Sequence, residues 1–124
     1  MKIPKIPDNV KVHSNVWRTI KEIKILDEEK AGKLIQRIIR LGIDPLPVSG
    51  DCKSETILNL KKKGLFVKRL KCLDILDYRI FYAYRESGLV CVYCVVPRDD
   101  DAYSEDSWHY QMVKLLYTQW RECQ

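Results

Sequence analysis

The feature that most constrains this chain is an apolar run at residues 89–96, LVCVYCVV, near the end of the sequence. Valine and tyrosine dominate the run, which predicts a β-strand. Because the run is apolar at successive positions, both faces of that strand must be buried. We therefore predict a central strand in a sheet that has a covering layer on each side.

Two helices are predicted ahead of this strand. The first covers residues 16–26, with Ser14 or Asn15 as its N-cap. The second starts at Asp27 and ends at Gly42, with acidic residues in its first turn and basic residues toward its end, as the helix dipole favours. Its apolar stripe consists of Ala31, Leu34, Ile35, Ile38 and Leu41.

The remaining elements are predicted from turn residues and alternation. Val10–Val12 reads as a first strand, residues 43–53 as a loop, and residues 54–63 as a short helix capped by Ser54 and ended by Gly64. Three further strands follow, at residues 65–71, 78–85 and 89–96, with a hairpin turn at 86–88. A last helix runs from Ser104 or Asp106 to Trp120, and its apolar stripe is Trp108, Met112, Leu115, Leu116 and Trp120.

These elements predict an α+β fold. We expect one domain over residues 1–124, with an N-terminal arm at 1–9 and a C-terminal helix at 104–120. The helical hairpin packs on a three- to four-stranded, mainly antiparallel sheet. No run of about 18 apolar residues and no secretory signal is visible, so we expect a cytoplasmic protein without a membrane partner.

The five cysteines are predicted to be free thiols, because an odd count without a signal peptide is typical of a reducing compartment. Cys91 and Cys94 are three residues apart on a strand, which places them on opposite faces. A second cysteine pair and a histidine pair at zinc-ligand spacing are both missing from the sequence. We therefore expect no metal and no cofactor.

The charge is unevenly distributed along the chain. Residues 1–72 carry 17 basic and 8 acidic groups, a net charge of +9, whereas residues 73–124 carry 5 basic and 9 acidic groups, a net charge of −4. The densest basic segment is 61–71, where the cations are Lys61, Lys62, Lys63, Lys68, Arg69 and Lys71. Such a segment suggests a nucleic-acid partner, and the alternative is a solvated lysine face.

Alternation along the predicted strands groups some of these cations. Arg69 or Lys71 can lie beside Arg79 on the solvent face of an antiparallel pair. Like charges side by side are unfavourable, so an anion is the expected reason for gathering them. The alternative is that Lys68, Lys71 and Arg79 form ion pairs with nearby aspartates, namely Asp74, Asp77 and residues 99–101.

Taken in order, these pieces resemble the RelE branch of the RelE/ParE toxin superfamily. A basic strand, Val67-Lys68-Arg69-Leu70-Lys71, precedes the strand Tyr78-Arg79-Ile80-Phe81-Tyr82. A hairpin and an apolar central strand follow, and then Arg98 and Tyr103 precede the last helix. The preceding helical pair also fits that family, and the resemblance covers roughly residues 10–116.

The resemblance implies a ribosome-dependent endoribonuclease that cleaves messenger RNA without a metal. The 2′-hydroxyl attacks the adjacent phosphorus and leaves a 2′,3′-cyclic phosphate. Arginine is always charged, so Arg79 and Arg98 are expected to hold the phosphate and stabilise its transition-state charge. Proton transfer is expected from Lys68 or Lys71, with Arg69 as electrostatic support.

The resemblance implies three further points. Tyr103 stacks on a base or exchanges a proton, whereas His109 is expected on the helix surface. Lys61, Lys62 and Lys63 are expected to bind RNA, and an antitoxin protein to cover the cationic face. The alternatives are a gyrase-directed toxin of the ParE branch and a non-catalytic binding module with the same fold.

Overall fold

The structure, a computed structural model, describes residues 5–48, 50–98 and 108–123. It is an α+β fold with two N-terminal helices, a mixed sheet and a C-terminal helix. In chain order the elements are β1 (Val10–Val12), α1 (Ser14–Leu26), α2 (Glu28–Arg40), β2 (Cys52–Thr56), α3 (Leu58–Lys61), β3 (Val67–Cys72), β4 (Tyr78–Tyr84), β5 (Val90–Pro97) and α4 (Trp108–Gln119). Two 3₁₀ turns lie at Leu73–Ile75 and Arg121–Cys123.

The sheet has the strand order β1-β5-β4-β3-β2. β1 runs parallel to β5, and the other neighbouring strands are antiparallel. β5 has a neighbour on each side and is buried from Val90 to Val96, which confirms the predicted interior strand. The predicted hairpin is also confirmed, since Gly88 has a φ of 91° and the Arg85 N–H donates to the Leu89 carbonyl.

The sheet contains five strands, not the predicted three or four. The additional strand is β2, in a segment that was predicted to be a loop followed by a helix. It pairs with β3 along its whole length, from Cys52 opposite Cys72 to Thr56 opposite Lys68. Its residues are mostly polar because it lies at the sheet edge, so it lacks the apolar alternation that marks a half-buried strand. The following helix, α3, is correspondingly short.

The helical pair forms as expected except at its start. His13 is the N-cap of α1, not Ser14 or Asn15, and its side chain accepts a hydrogen bond from the Asn15 N–H. Asp27 caps α2 by accepting from the Lys30 N–H at 3.0 Å. Gly42 follows this helix where space is short, because a Cβ there would lie 2.9 Å from Cγ2 of Val10.

Two apolar cores lie on the two faces of the sheet. On the first face, called the α1/α2 face, buried residues of α1 and α2 contact Leu70, Ile80 and Val92. On the second, called the α3/α4 face, Leu60 and Val113 belong to a core with Val67, Phe81 and Tyr93. Both faces of β5 are therefore covered by helices, as its composition requires.

The buried side of α4 differs from the predicted stripe. His109, Tyr110 and Val113 are buried, whereas Trp108 and Leu115 are 61% and 52% exposed. The prediction of a surface position for His109 is therefore wrong, because the sheet lies on its side of the helix. The start predicted at Ser104 or Asp106 falls outside the described residues.

A β-bulge changes the direction of side chains along β5. Phe81 pairs with Cys94 and Tyr82 pairs with Val92, so Tyr93 is the extra residue. Consequently Cys91 and Cys94 both belong to the α3/α4 core. Their predicted placement on opposite faces is wrong, because simple alternation fails across a bulge.

Four of the five cysteines form disulfides. Cys52 pairs with Cys72 across the β2–β3 ladder, and Cys91 pairs with Cys123 in the last 3₁₀ turn. The prediction of free thiols holds only for Cys94, which is buried, and burial raises the pKa of its thiol. The count of cysteines does not reveal the register that sets Cys52 opposite Cys72. Within the described residues, no helix is long and apolar enough to cross a membrane.

Candidate nucleic-acid interface

Three cations lie side by side on adjacent strands of the α3/α4 face. Lys53 on β2 pairs directly with Lys71 on β3. The next pair of strands matches Leu70 with Ile80, so the following register position sets Lys71 beside Arg79 on β4. Directly opposed residues have Cβ atoms about 4.5–5.5 Å apart. These strands therefore carry a continuous line of positive charge across the sheet.

Arg98 extends this line beyond the end of β5. Arg79 pairs with Val96, and the Arg98 N–H donates to the Asp77 carbonyl at 2.8 Å, which continues the ladder. Arg98 is thus a diagonal neighbour of Arg79, and such pairs lie about 7–8 Å apart. We call Lys53, Lys71, Arg79 and Arg98 the basic row.

The basic row is not neutralised by acidic side chains of the described residues. Neither Lys53, Lys71, Arg79 nor Arg98 has a carboxylate of that part of the chain within ion-pair distance. Two aspartates considered as partners bind α2 instead: Asp74 pairs with Arg37 at 2.9 Å, and Asp77 pairs with Lys30. The third candidate segment, residues 99–101, lies outside the described residues.

Arg79 is buried, which corrects its predicted place on a solvent face. Its side chain is only 2% exposed, because its strand neighbours lie in the core beneath α4. Nη1 donates to the carbonyls of Leu76 at 2.6 Å and Tyr78 at 3.0 Å, and Nε has no hydrogen-bond partner among the described residues. Burying a charge without a counter-charge is costly, so this position needs another reason.

Two other predicted site residues are separated from the basic row. Lys68 lies on the α1/α2 face, because it alternates with Arg69, and its Nζ donates to Oγ1 of Thr56 at 2.8 Å. Arg69 lies on the α3/α4 face, but Glu55 binds it at 3.2 Å. The predicted basic strand therefore contributes only Lys71 to the row.

The remaining predicted residues lie elsewhere. Lys61, Lys62 and Lys63 are exposed at the end of α3. The Ile57 N–H donates to the Val67 carbonyl, so α3 lies at the end of β3 remote from Lys71. Tyr103 lies outside the described residues.

Sequence reasoning missed Lys53, because it lies in the segment predicted as a loop. Its role becomes visible only through the register of β2 against β3. Among the described residues, no group of three or more histidine, cysteine or acidic side chains is arranged to hold a metal. Comparison of the chain with family models, curated proteins and solved structures gives no match.

Proposed function

We propose that this protein binds single-stranded RNA along the basic row and cleaves it, as a toxin-like endoribonuclease acting on messenger RNA at the ribosome in the cytoplasm. The observation that carries the proposal is the basic row itself. It opposes like charges on neighbouring strands and buries one guanidinium, with no carboxylate of the described residues to balance them. A phosphate backbone supplies the missing negative charge.

The chemistry divides among three members of the row. Arg98 is exposed and contacts the scissile phosphate directly, while Arg79 supplies a fixed positive charge from beneath. Charge that develops on the phosphate in the transition state is stabilised by such pre-positioned donors. Lys71 lies between β2 and β4 and is the proton-transfer group, since Lys68 faces away. Tyr103 keeps its proposed stacking role.

The RelE-like fold and an antitoxin partner belong to the same proposal. The order of elements and the interior position of β5 support that fold. An acidic partner is favoured by the uncompensated charge of the row, and α4 offers the exposed Trp108 and Leu115 as apolar contacts. Such a partner would cover the row and prevent RNA from binding.

One experiment on RNA chemistry tests the cleavage step. Ribosomes programmed with a defined message are incubated with the purified protein, and the new 3′ ends are analysed. We expect a 2′,3′-cyclic phosphate, and we expect a 2′-deoxy nucleotide at the cleavage position to abolish the cut. Cleavage that continues without that hydroxyl contradicts the proposed mechanism.

A second experiment concerns the order of events in a cell. Expression of the protein alone in a bacterium should stop translation before DNA replication, because messenger RNA is the substrate. Pulse-labelling with amino acid and thymidine measures both processes. If replication stops first while messenger RNA stays intact, the gyrase-directed alternative replaces this proposal.

A non-catalytic RNA-binding module is the second candidate, and two observations favour it. Lys68, one of two candidates for proton transfer, faces away from the row, and Arg79 is buried. Such a module would bind the uncleavable RNA with the same affinity as the wild-type message and produce no new ends. The cleavage assay therefore separates the two candidates directly.

A further inference from the structure

The edge strand β2 adds a cation to a sheet whose other strands already carry the basic row. Lys53 is exposed, and it stands directly opposite Lys71. Two lysines at opposed positions repel each other. The adjoining pair on the same face is Glu55 opposite Arg69, which is a normal ion pair. The chain therefore neutralises one position of this ladder and leaves the next one doubly positive.

The position of Lys53 is fixed by contacts on both of its neighbours in β2. Cys52 is bonded to Cys72 on β3. The Ser54 N–H donates to the Pro47 carbonyl at 2.8 Å, and Oγ of Ser54 lies 2.9 Å from the Tyr82 hydroxyl. With both neighbours anchored, the strand cannot slip to relieve the repulsion between the two lysines.

The separation of the strands sets which phosphate Lys53 can reach. β2 and β4 are two strand spacings apart, about 9.5 Å. Arg98 lies on the far side of β4, at the end of β5. Lys53 and Arg98 therefore address different points along a bound chain.

We propose that Lys53 and Lys71 form a second phosphate subsite, which binds the phosphate next to the one held by Arg98. This inference rests on the proposed function only in taking single-stranded RNA as the ligand. The RNA backbone runs across the strands from β5 toward β2. The edge strand then acts in binding and leaves the chemical step to the other end of the row.

The test uses a short RNA that carries a 2′-deoxy nucleotide at the cleavage position, so that binding is measured without cleavage. Lys53→Ala should weaken binding by roughly 3- to 10-fold at low salt, and should reduce the slope of log affinity against log salt by about 0.7. Lys53→Arg should retain most of the affinity. Lys21→Ala is the matched control, because Lys21 is an exposed lysine on α1, and it should change neither quantity.

Neutral methylphosphonate linkages, introduced one at a time, then locate the subsite. One linkage beside the cleavage position should weaken wild-type binding but leave the Lys53→Ala variant unaffected, because the same contact is already lost. The proposal is overturned if Lys53→Ala binds like the wild type, or if every linkage weakens the variant and the wild type equally. It is also overturned if wild-type protein does not bind the RNA.

The proposed cleavage activity can fail separately. If no cleavage is found while Lys53→Ala still weakens binding at one linkage, the subsite stands and the endoribonuclease proposal falls. If cleavage is found and Lys53→Ala lowers the rate at saturating RNA without changing affinity, Lys53 belongs to the chemical step and the subsite proposal is wrong.

Discussion

Arg79 and Arg98 are diagonal neighbours in the sheet, yet one is buried and the other exposed, and this difference separates the effects expected from replacing them. The side chain of Arg98 leaves the fold at its surface, whereas Arg79 fills space in the core and donates to two backbone carbonyls. Only Arg98 can be truncated without opening a cavity. The functional test of the row therefore begins with Arg98.

Replacing Arg98 by alanine should lower the cleavage rate at saturating RNA by about 10²–10³, as expected when one donor to a transition-state charge is removed. Thermal unfolding should be unchanged, since the side chain is exposed. Lys62→Ala is the control: it should weaken RNA binding slightly and leave the rate at saturation unaltered. A wild-type rate for Arg98→Ala would remove Arg98 from the chemistry.

Arg79→Ala should destabilise the protein as well as slow it. A large buried side chain is lost and two carbonyl groups lose their donor, which together cost about 2–5 kcal/mol. Denaturant unfolding measures this loss. If the variant is as stable as the wild type, the burial described for Arg79 does not contribute to folding, and its effect on cleavage is then purely catalytic.

His13 makes the stability depend on pH. Its ring accepts a hydrogen bond from the Asn15 N–H and meets the edge of Trp120 at 5.3 Å between ring centroids. Burial, followed by the charge of Arg18, lowers the pKa of His13, and Glu122 opposes this only in part. Protonation also removes the acceptor that caps α1.

A lowered pKa in the folded state means that the unfolded chain binds the proton more readily. The stabilisation from His13 should therefore be complete above its ordinary pKa of 6.5 and decrease as the pH falls through the lower, folded value. Urea midpoints between pH 7.5 and 5 measure it. His13→Asn keeps an N-cap acceptor without titrating, so its midpoint should vary less over that range; an identical slope in both proteins would exclude His13.

Among the elements, those with strong apolar periodicity could be predicted and the polar edge strand could not. The stripe of α2 and the apolar run of β5 predict those elements to within one or two residues. β2 exists because it pairs with β3, and nothing in its own five residues requires a strand. Its omission also hid Lys53 from the predicted site.

The candidate site was predictable as far as alternation could take it. Alternation places Lys71 and Arg79 on one face, as found, and equally places Lys68 on the other. It cannot show that α4 covers that face and buries Arg79, because this depends on how a distant helix packs. Nor can it show a bulge, which is why the direction of Cys94 was wrong.

The disulfide between Cys91 and Cys123 should stabilise the attachment of the chain end to β5. It closes a segment with a sequence separation of 32, which corresponds to about 3–4 kcal/mol of restricted unfolded-state entropy. The double variant Cys91→Ala, Cys123→Ala should therefore unfold at lower denaturant concentration than the wild type. In excess reductant the two proteins should converge, apart from the difference in packing, and a gap that reductant leaves unchanged would contradict the crosslink.

At the scale of the whole molecule, positive charge is partly neutralised by contacts between elements and partly left free. α2 binds the connection after β3 through Lys30–Asp77 and Arg37–Asp74. The basic row has no such partners among the described residues. A charged ligand should therefore find the row, and the cations of α2 should contribute little.

RNA binding should weaken steeply with salt, because each phosphate contact releases condensed counterions. Contacts to all four members of the basic row predict a slope of log affinity against log salt near −3 for a single strand. Titrations of the uncleavable RNA between 50 and 200 mM salt, about a fourfold range of the kind that resolves such slopes, measure this. A slope near zero would remove the electrostatic basis of the proposed function, and a steeper slope that returns to about −3 in a Lys61, Lys62, Lys63 triple alanine variant would add α3 to the interface.

The parallel pairing of β1 with β5 has a consequence for the growing chain. Val10–Val12 pairs with Val90–Val92, so a strand made at the start of synthesis must wait for one made near the end. Until β5 has left the ribosome, the apolar side of the α1–α2 hairpin has no sheet to cover it. During synthesis the nascent protein is thus an incomplete structure with exposed apolar surface, and a chain truncated before β5 should aggregate.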